Sequence, residues 1–498
     1  MLRRNALLTL VGCLPAAGAT KKTGRAKRRT LAEKVDEAIA ASSALSRSHL
    51  GIRVVDLGGT VLYERNAKNW FVPASNTKLF STALALSRFG PDHRMSTRVT
   101  AAAGPGIDGI LSGDIRLVGG GDPTLSGRTY PYDKDQEWAD EPPGIRTLAE
   151  QVANRGIKRI TGAVIGDDTA YNWEPFPDGW SIDDPLFEYG APVSALTVQD
   201  NAMRLEVRPG AAAGELAEVY LYPDAGQVTL VPLVQTAPAG ERTRIRLERP
   251  VNTNELRVWG QIGLTAKPYS TLLAVADPAL YAAQLMTVAL ERAGVAVGEP
   301  ARARHRDGGD ETVPAWPEEL AVLASRPMRE VVQVVNKVSQ NLHAELLLRE
   351  AGRQDRPWGG REEGVTALRD FLEKDIGLAK EDVNFVDGSG LSRLTLLTPE
   401  ATTKLLVHMA NAPVKDDWLA SLPVGGEDGT LGKRFRGVAE KGKVRAKTGT
   451  LSHVSALGGY LEHPRKGRLA FTILLNNYNT PAAEARKGID RLVAAFLE

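Results

Sequence analysis

Apolar and polar positions follow two periods along the chain. Around Leu79, Ala83 and Leu86, with Phe80 and Leu84 alongside, the spacing is helical, and Gly90-Pro91 is a stop signal. The pattern predicts an amphipathic helix that begins as a turn at Pro73-Ala74-Ser75. Upstream, Thr30 to Ser46 reads as a helix, with Thr30 and Glu33 at capping-box spacing. Leu50 to Leu57 and Thr60 to Tyr63 flank Gly58-Gly59 as a hairpin.

From about Asp92 to Pro317 the period shortens to that of strands between Gly/Pro turns. Met95 to Thr100, Gly113 to Val118, Arg159 to Gly166, Leu205 to Arg208, Val219 to Tyr222, Arg242 to Leu247 and Leu256 to Ile262 are such runs. Two helices interrupt them, Ile145 to Arg155 and one starting at Asp277-Pro278 and stopping at Gly294. Asp133 to Glu141 reads as an acidic surface loop. From about Glu318 helices return, at Pro327 to Arg349, Arg361 to Lys374 and Pro399 to Asn411. Two apolar strands, Ala456 to Glu462 and Leu469 to Asn476, precede a last helix, Pro481 to Leu497. The predicted organisation is one sheet built from both chain ends, residues 20–92 plus 318–498. Residues 93–317 are inserted into it as mostly β material in two subdomains.

Composition narrows the function classes. The 498 residues carry 62 basic and 60 acidic side chains, a formal charge of +2, so no general field favours nucleic acid. Arg3-Arg4, the apolar run Ala6 to Val11 and Ala17-Gly18-Ala19 read as an export signal over residues 1–19. The expected destination is the periplasm or cell envelope. The one cysteine, Cys13, lies in that segment, which removes cysteine catalysis and thiolate metal sites from a processed chain. Leu10-Val11-Gly12-Cys13 also resembles a lipoprotein box, so membrane association is expected only if Cys13 is lipidated. The basic run Lys21 to Arg29 reads as a solvated linker. The seven histidines show no metal-binding spacing, and Gly119-Gly120-Gly121 lacks the further glycine or lysine of a nucleotide loop. No metal or cofactor is expected. Trp173 and Trp180 read as packing residues.

Candidate chemistry concentrates at four places. Ser75 and Lys78 stand three apart in a first helical turn and share a face. A lysine in a poorly solvated site can lose its proton and serve as base to a serine nucleophile. Taken alone, the pair fits a capping serine and a solvated lysine better. Ser339-Gln340-Asn341 can offer a hydroxyl and an amide to one cleft. Lys447-Thr448-Gly449-Thr450, before the last strands, suits an extended peptide ending in a carboxylate, because glycine lets a ligand backbone approach. Arg393, in the loop Asp387 to Arg393, suits bidentate binding of a carboxylate.

Ser-x-x-Lys, Ser-x-Asn and Lys-Thr-Gly in this order resemble the signature of penicillin-binding proteins and serine β-lactamases. Further stretches resemble the class C low-molecular-mass penicillin-binding proteins, the D-alanyl-D-alanine carboxypeptidase/endopeptidase family. They include Gly119 to Leu125, Gly166-Asp167-Asp168, Asp277 to Leu280, Asp387 to Arg393, Leu422-Pro423 and Gly429-Thr430-Leu431. The long gap between Lys78 and Ser339 is that family's mark. Gln340 departs from the Asp or other polar residue frequent there.

The resemblance implies an α/β (α+β) transpeptidase-like domain, an antiparallel sheet flanked by helices and interrupted by the insertion. It implies peptidoglycan stem peptides as substrate and β-lactams as inhibitors. Ser75 would attack, Lys78 would take its proton, and Ser339 with Lys447 would serve the leaving amine. Asn341 would hold the substrate amide. Thr448, Gly449 and Thr450 would line the carboxylate end and the oxyanion hole, with Arg393 and Asp167 as peptide contacts. Two rivals are a β-lactamase or esterase using the same acyl-enzyme, and a non-catalytic wall-binding scaffold. The large insertion and the absence of a Glu-x-x-Leu-Asn motif count against the first. The intact nucleophile and base count against the second.

Overall fold

The computed structural model describes residues 29–135, 139, 142–250, 253–307, 316–354, 356, 358–437 and 440–498. The export signal, Cys13, most of the basic run and part of the Asp133 to Glu141 loop lie outside the described residues.

Both ends of the chain meet in one antiparallel five-stranded sheet. Its order is Val444–Leu451, Val454–His463, Gly467–Asn476, His49–Asp56, Val61–Arg65. Period-two side chains fix the register, with Leu50 opposite Leu475, Ile52 opposite Ile473 and Val54 opposite Phe471. That face packs on the terminal helices Leu31–Ala40 and Ala482–Leu497 through Val35, Ile39, Ile489, Leu492 and Phe496. The other face, with Tyr460 and Ala470, covers helices that include Thr77–Phe89 and Met328–Lys337. The result is the expected mixed α/β architecture of an antiparallel sheet flanked by helices.

The two larger apolar clusters of the intervening residues lie apart from that sheet. One lies between a five-stranded sheet, ordered Arg302–Arg306, Val164–Asn172, Ile115–Val118, Ser96–Ala101, Glu318–Ala324, and the helices Pro143–Asn154 and Pro278–Arg292. The other joins two three-stranded sheets around Leu205, Val207, Val234, Val258 and Ile262.

Several elements depart from the sequence expectation. The helix Thr77–Phe89 is not amphipathic in place, because every side chain from Thr77 to Leu86 is buried. The sheet covers one side of it and the helices of the C-terminal half cover the rest. Burying Leu79, Phe80, Leu84 and Leu86 stabilises it by roughly 1.5–3 kcal/mol each. Thr30 caps as predicted, but the helix stops at Ala40 and a separate turn, Ser43–Ser46, follows. The run Arg159 to Gly166 splits into Arg159–Ile160 and Val164–Asn172. Glu318–Ala324, grouped from sequence with the C-terminal helices, is a strand paired with Ser96–Ala101. Thr229–Ala237 is a strand that sequence reading missed; Pro232 is tolerated because the strand lies at a sheet edge. The predicted continuous helix Pro327 to Arg349 is two helices, Met328–Lys337 and Asn341–Arg353. The break falls at Ser339, whose φ of +68° lies in the left-handed region and cannot continue a helix.

Candidate active site

Ser75 sits in a single 3-10 turn, Ala74–Asn76, that feeds the helix Thr77–Phe89. The turn is pinned from both flanks. Asn76 Nδ2 donates to Lys447 O at 3.0 Å, and Val72 N donates to Asn476 Oδ1 at 2.8 Å. The edge strand Val444–Leu451 thereby lies directly against the serine. Gly449 permits this approach, since a Cβ there would sit 2.7 Å from Pro73 O and 3.1 Å from Ser75 N.

Lys78 is fully buried one helical turn on. Its Nζ donates to Ser75 Oγ at 2.9 Å, Asn341 Oδ1 at 2.6 Å and Ser389 O at 2.6 Å. All three acceptors are neutral. Burial pulls its pKa down to about 7, while the more distant Asp387 and Glu345 carboxylates pull it partly back up. The three contacts use every N–H of an ammonium. Loss of one proton lets the contact with Ser75 reverse, with Oγ–H donating to Nζ, the geometry of a general base.

Lys447 faces the same space from the edge strand. Its Nζ donates to Ser339 Oγ and to Thr448 O, both at 2.8 Å. Burial, and then the proximity of Lys78, hold its pKa well below that of a free lysine. The break between the two helices turns the Ser339 hydroxyl toward Lys447. Asn341 opens the second helix and bridges outward, its Nδ2 donating to Tyr189 O at 2.7 Å. Thr448 Oγ1 donates to Thr430 Oγ1 at 2.9 Å, and this threonine pair lies in the open part of the site.

The structure thus gathers Ser75, Lys78, Ser339, Asn341, Lys447, Thr448, Gly449 and, on the same strand, Thr450. Arg393 is exposed and donates to Ser452 O at 3.0 Å, just beyond the end of that strand. Asp167 does not join the cluster, and it is not a turn residue. It stands in the strand Val164–Asn172, 1% exposed, and accepts from Thr169 Oγ1 at 2.6 Å. Arg116 and Arg304 stand at 3.9 and 3.8 Å as its ionic partners.

Sequence reading missed the layer behind Lys78. Glu345 Oε1 accepts from Gly388 N at 3.0 Å and Ser389 N at 2.8 Å, which fixes the carbonyl that Lys78 meets. Burial, then repulsion from Asp387, push the Glu345 carboxyl up to about 7. Asp387 folds its own loop, accepting from Gly390 N at 3.1 Å, Ser392 N at 2.9 Å and Thr395 Oγ1 at 2.9 Å. The available signal for Glu345 is its place four residues after Asn341, on one helix face. Asn76 and the Tyr189 carbonyl carry no signal in sequence.

The D-Ala-D-Ala carboxypeptidase 3 (S13) family model matches residues 31–496. A D-alanyl-D-alanine carboxypeptidase of Actinomadura sp. (strain R39) is 36% identical over 95% of this chain and 86% of its own length. The D-alanyl-D-alanine carboxypeptidase DacB of Haemophilus influenzae is 24% identical over 86% of this chain and 85% of its own. The crystal structure of penicillin binding protein 4 (dacB) from Haemophilus influenzae superposes with a TM-score of 0.79 at 22% identity. It covers 93% of this chain and 99% of that one, which shows a shared fold. The chain belongs to the D-Ala-D-Ala carboxypeptidase 3 (S13) family.

Proposed function

We infer that the protein is a serine D-alanyl-D-alanine carboxypeptidase that acts on peptidoglycan stem peptides through an acyl-enzyme. The observation that carries this is Lys78 Nζ, buried with neutral partners only, 2.9 Å from Ser75 Oγ. In this reading neutral Lys78 takes the Ser75 proton as Oγ bonds to the penultimate D-alanine carbonyl carbon. Backbone N–H groups of Ser75 and Thr450 receive the oxyanion. As the C–N bond breaks, Ser339 passes a proton to the departing D-alanine nitrogen and is resupplied through Lys447, the proton that Lys78 took from Ser75 making up the loss. Asn341 holds the acyl-side amide, and Thr448 with Lys447 engages the terminal carboxylate. Arg393, at the end of the edge strand, contributes a rim cation. Water then cleaves the ester, restoring Ser75 and releasing the shortened peptide.

A β-lactam presents the same amide in a ring, so its leaving nitrogen stays tethered and the ester persists. The sheet from both chain ends with its helices forms the catalytic unit, and the residues between form an inserted one. Among the described residues no helix is long and apolar enough to cross a membrane. The predicted export signal and a wall-peptide substrate together put the enzyme's work in the cell envelope.

The test is incubation of purified protein with fluorescent penicillin and, separately, with a pentapeptide ending in D-Ala-D-Ala. Expected are a stable adduct on Ser75 and release of free D-alanine. No adduct on folded protein contradicts the mechanism, and rapid penicillin turnover without D-alanine release favours a β-lactamase. Cross-linked muropeptides in the same assay separate carboxypeptidase from endopeptidase action.

A further inference from the structure

Asp200 lies in the intervening residues, far in sequence from every group above, yet it reaches the break that carries Ser339. Its carboxylate is 1% exposed and is the convergence point of three side chains. Arg128 Nε donates to Oδ2 at 2.6 Å, Gln340 Nε2 to Oδ2 at 2.9 Å, and His343 Nε2 stands 3.0 Å from Oδ1. Facing an ionised carboxylate, that imidazole nitrogen must carry the proton. Burial alone would raise the Asp200 pKa, but Arg128 and His343 outweigh it and hold the group well below the usual carboxylate range.

Gln340 is the link to the chemistry. Its Oε1 accepts from Leu342 N at 2.7 Å, so the same amide caps the helix that begins at Asn341 and anchors to Asp200. Ser339 and Asn341 flank it in the chain. Ser339 is in a left-handed conformation, which is strained for a residue other than glycine and persists only where surroundings over-determine it. Asp200 is itself in such a place: Gln199, Asp200 and Asn201 have φ of 53°, 53° and 52°. That run is held by side chains, with Gln199 Nε2 on Ala139 O at 2.8 Å and Asn201 Nδ2 on Pro192 O at 2.9 Å. Strain is therefore stored on both sides of one hydrogen bond, the one from Gln340 to Asp200. Tyr189 O, which accepts from Asn341, comes from the same stretch of intervening chain.

We propose that Asp200 is a positioning residue of the acylation step, which acts through Gln340 and His343 to hold Ser339 and Asn341 in register with Lys447 and Lys78. The insertion is then part of the active-site framework and more than an appended wall-binding module. The proposal rests on the acyl-enzyme reading above.

The test compares Asp200→Asn, Gln340→Ala and the double variant with wild type. Benzylpenicillin acylation is followed by stopped flow, giving the limiting rate and the dissociation constant separately, with thermal unfolding alongside. Expected is a 10- to 100-fold fall in limiting rate for each single variant, with the dissociation constant moved less than threefold. The double variant should fall well short of the product of the two single losses, because both single variants break the bond from Gln340 to Asp200. Wild-type limiting rates in folded Asp200→Asn and Gln340→Ala, or multiplicative losses in the double variant, overturn the proposal. Should Asp200→Asn not fold, Gln340→Ala with an unchanged rate overturns it alone. Absence of acylation in wild type would instead overturn the proposed function.

Discussion

Two regions of the molecule bury charge in opposite ways. In the intervening residues three buried carboxylates have cations beside them: Asp167 has Arg116 and Arg304, Asp200 has Arg128 and His343, and Glu206 has Arg204 and Arg208. At the active site the two buried lysines have none. Among the described residues, no carboxylate oxygen lies within 4.0 Å of Lys78 or Lys447, and every hydrogen-bond partner of either is a hydroxyl, an amide oxygen or a backbone carbonyl. A paired charge stays charged and fixes geometry, whereas an unpaired buried cation sheds its proton. The first arrangement holds a shape; the second, on the proposed function, holds a base.

The contrast predicts opposite results for two substitutions. Lys78→Met should lower penicillin acylation by about 10³-fold, the scale of losing a positioned general base. Its unfolding midpoint should fall less than that of Asp167→Asn, because an apolar side chain of similar shape replaces a desolvated amine and offsets the donors lost to Asn341 Oδ1 and Ser389 O. A large loss of stability in Lys78→Met would break the comparison. Asp167→Asn should behave in reverse. It takes the anion from the buried Arg116 guanidinium and from the partly exposed Arg304, at about 3 kcal/mol, or roughly 5–10 °C in midpoint. Acylation by the folded variant at low temperature should stay within about twofold of wild type, since no catalytic group touches Asp167. A loss above tenfold there would restore Asp167 to the site.

How much of this is legible in the sequence depends on the range of each interaction. Ser75 and Lys78 are three apart across a 3-10 turn and the helix it feeds, so a local rule suffices to pair them. Ser339, Asn341 and Lys447 are legible as motifs whose order is informative, but the left-handed Ser339 that breaks its helix is not. Its apolar neighbours Val334, Val335, Leu342 and Leu346 keep helical spacing across the break, and tertiary contacts override them. The five-stranded sheet is legible because period-two apolar runs stand at both ends of the chain. Glu318–Ala324 is not, because its partner strand lies more than two hundred residues earlier. Asp167 shows the limit of motif reading, since it is buried in an ion-pair cluster apart from the side chains around Ser75.

The most direct test of the central claim, a base made by burial without a counter-ion, is the pH dependence of penicillin acylation. A lysine whose folded pKa is depressed is protonated only below that value, so the active neutral form gains as pH rises through about 7. The same group binds fewer protons folded than unfolded between about 7 and its ordinary 10.5, so its contribution to stability also rises with pH in that window. The second-order acylation rate should fall tenfold per unit below about pH 7 and level off above it. A rate that is flat from about pH 5 to about pH 9, or that rises only toward the ordinary lysine range, would contradict the account.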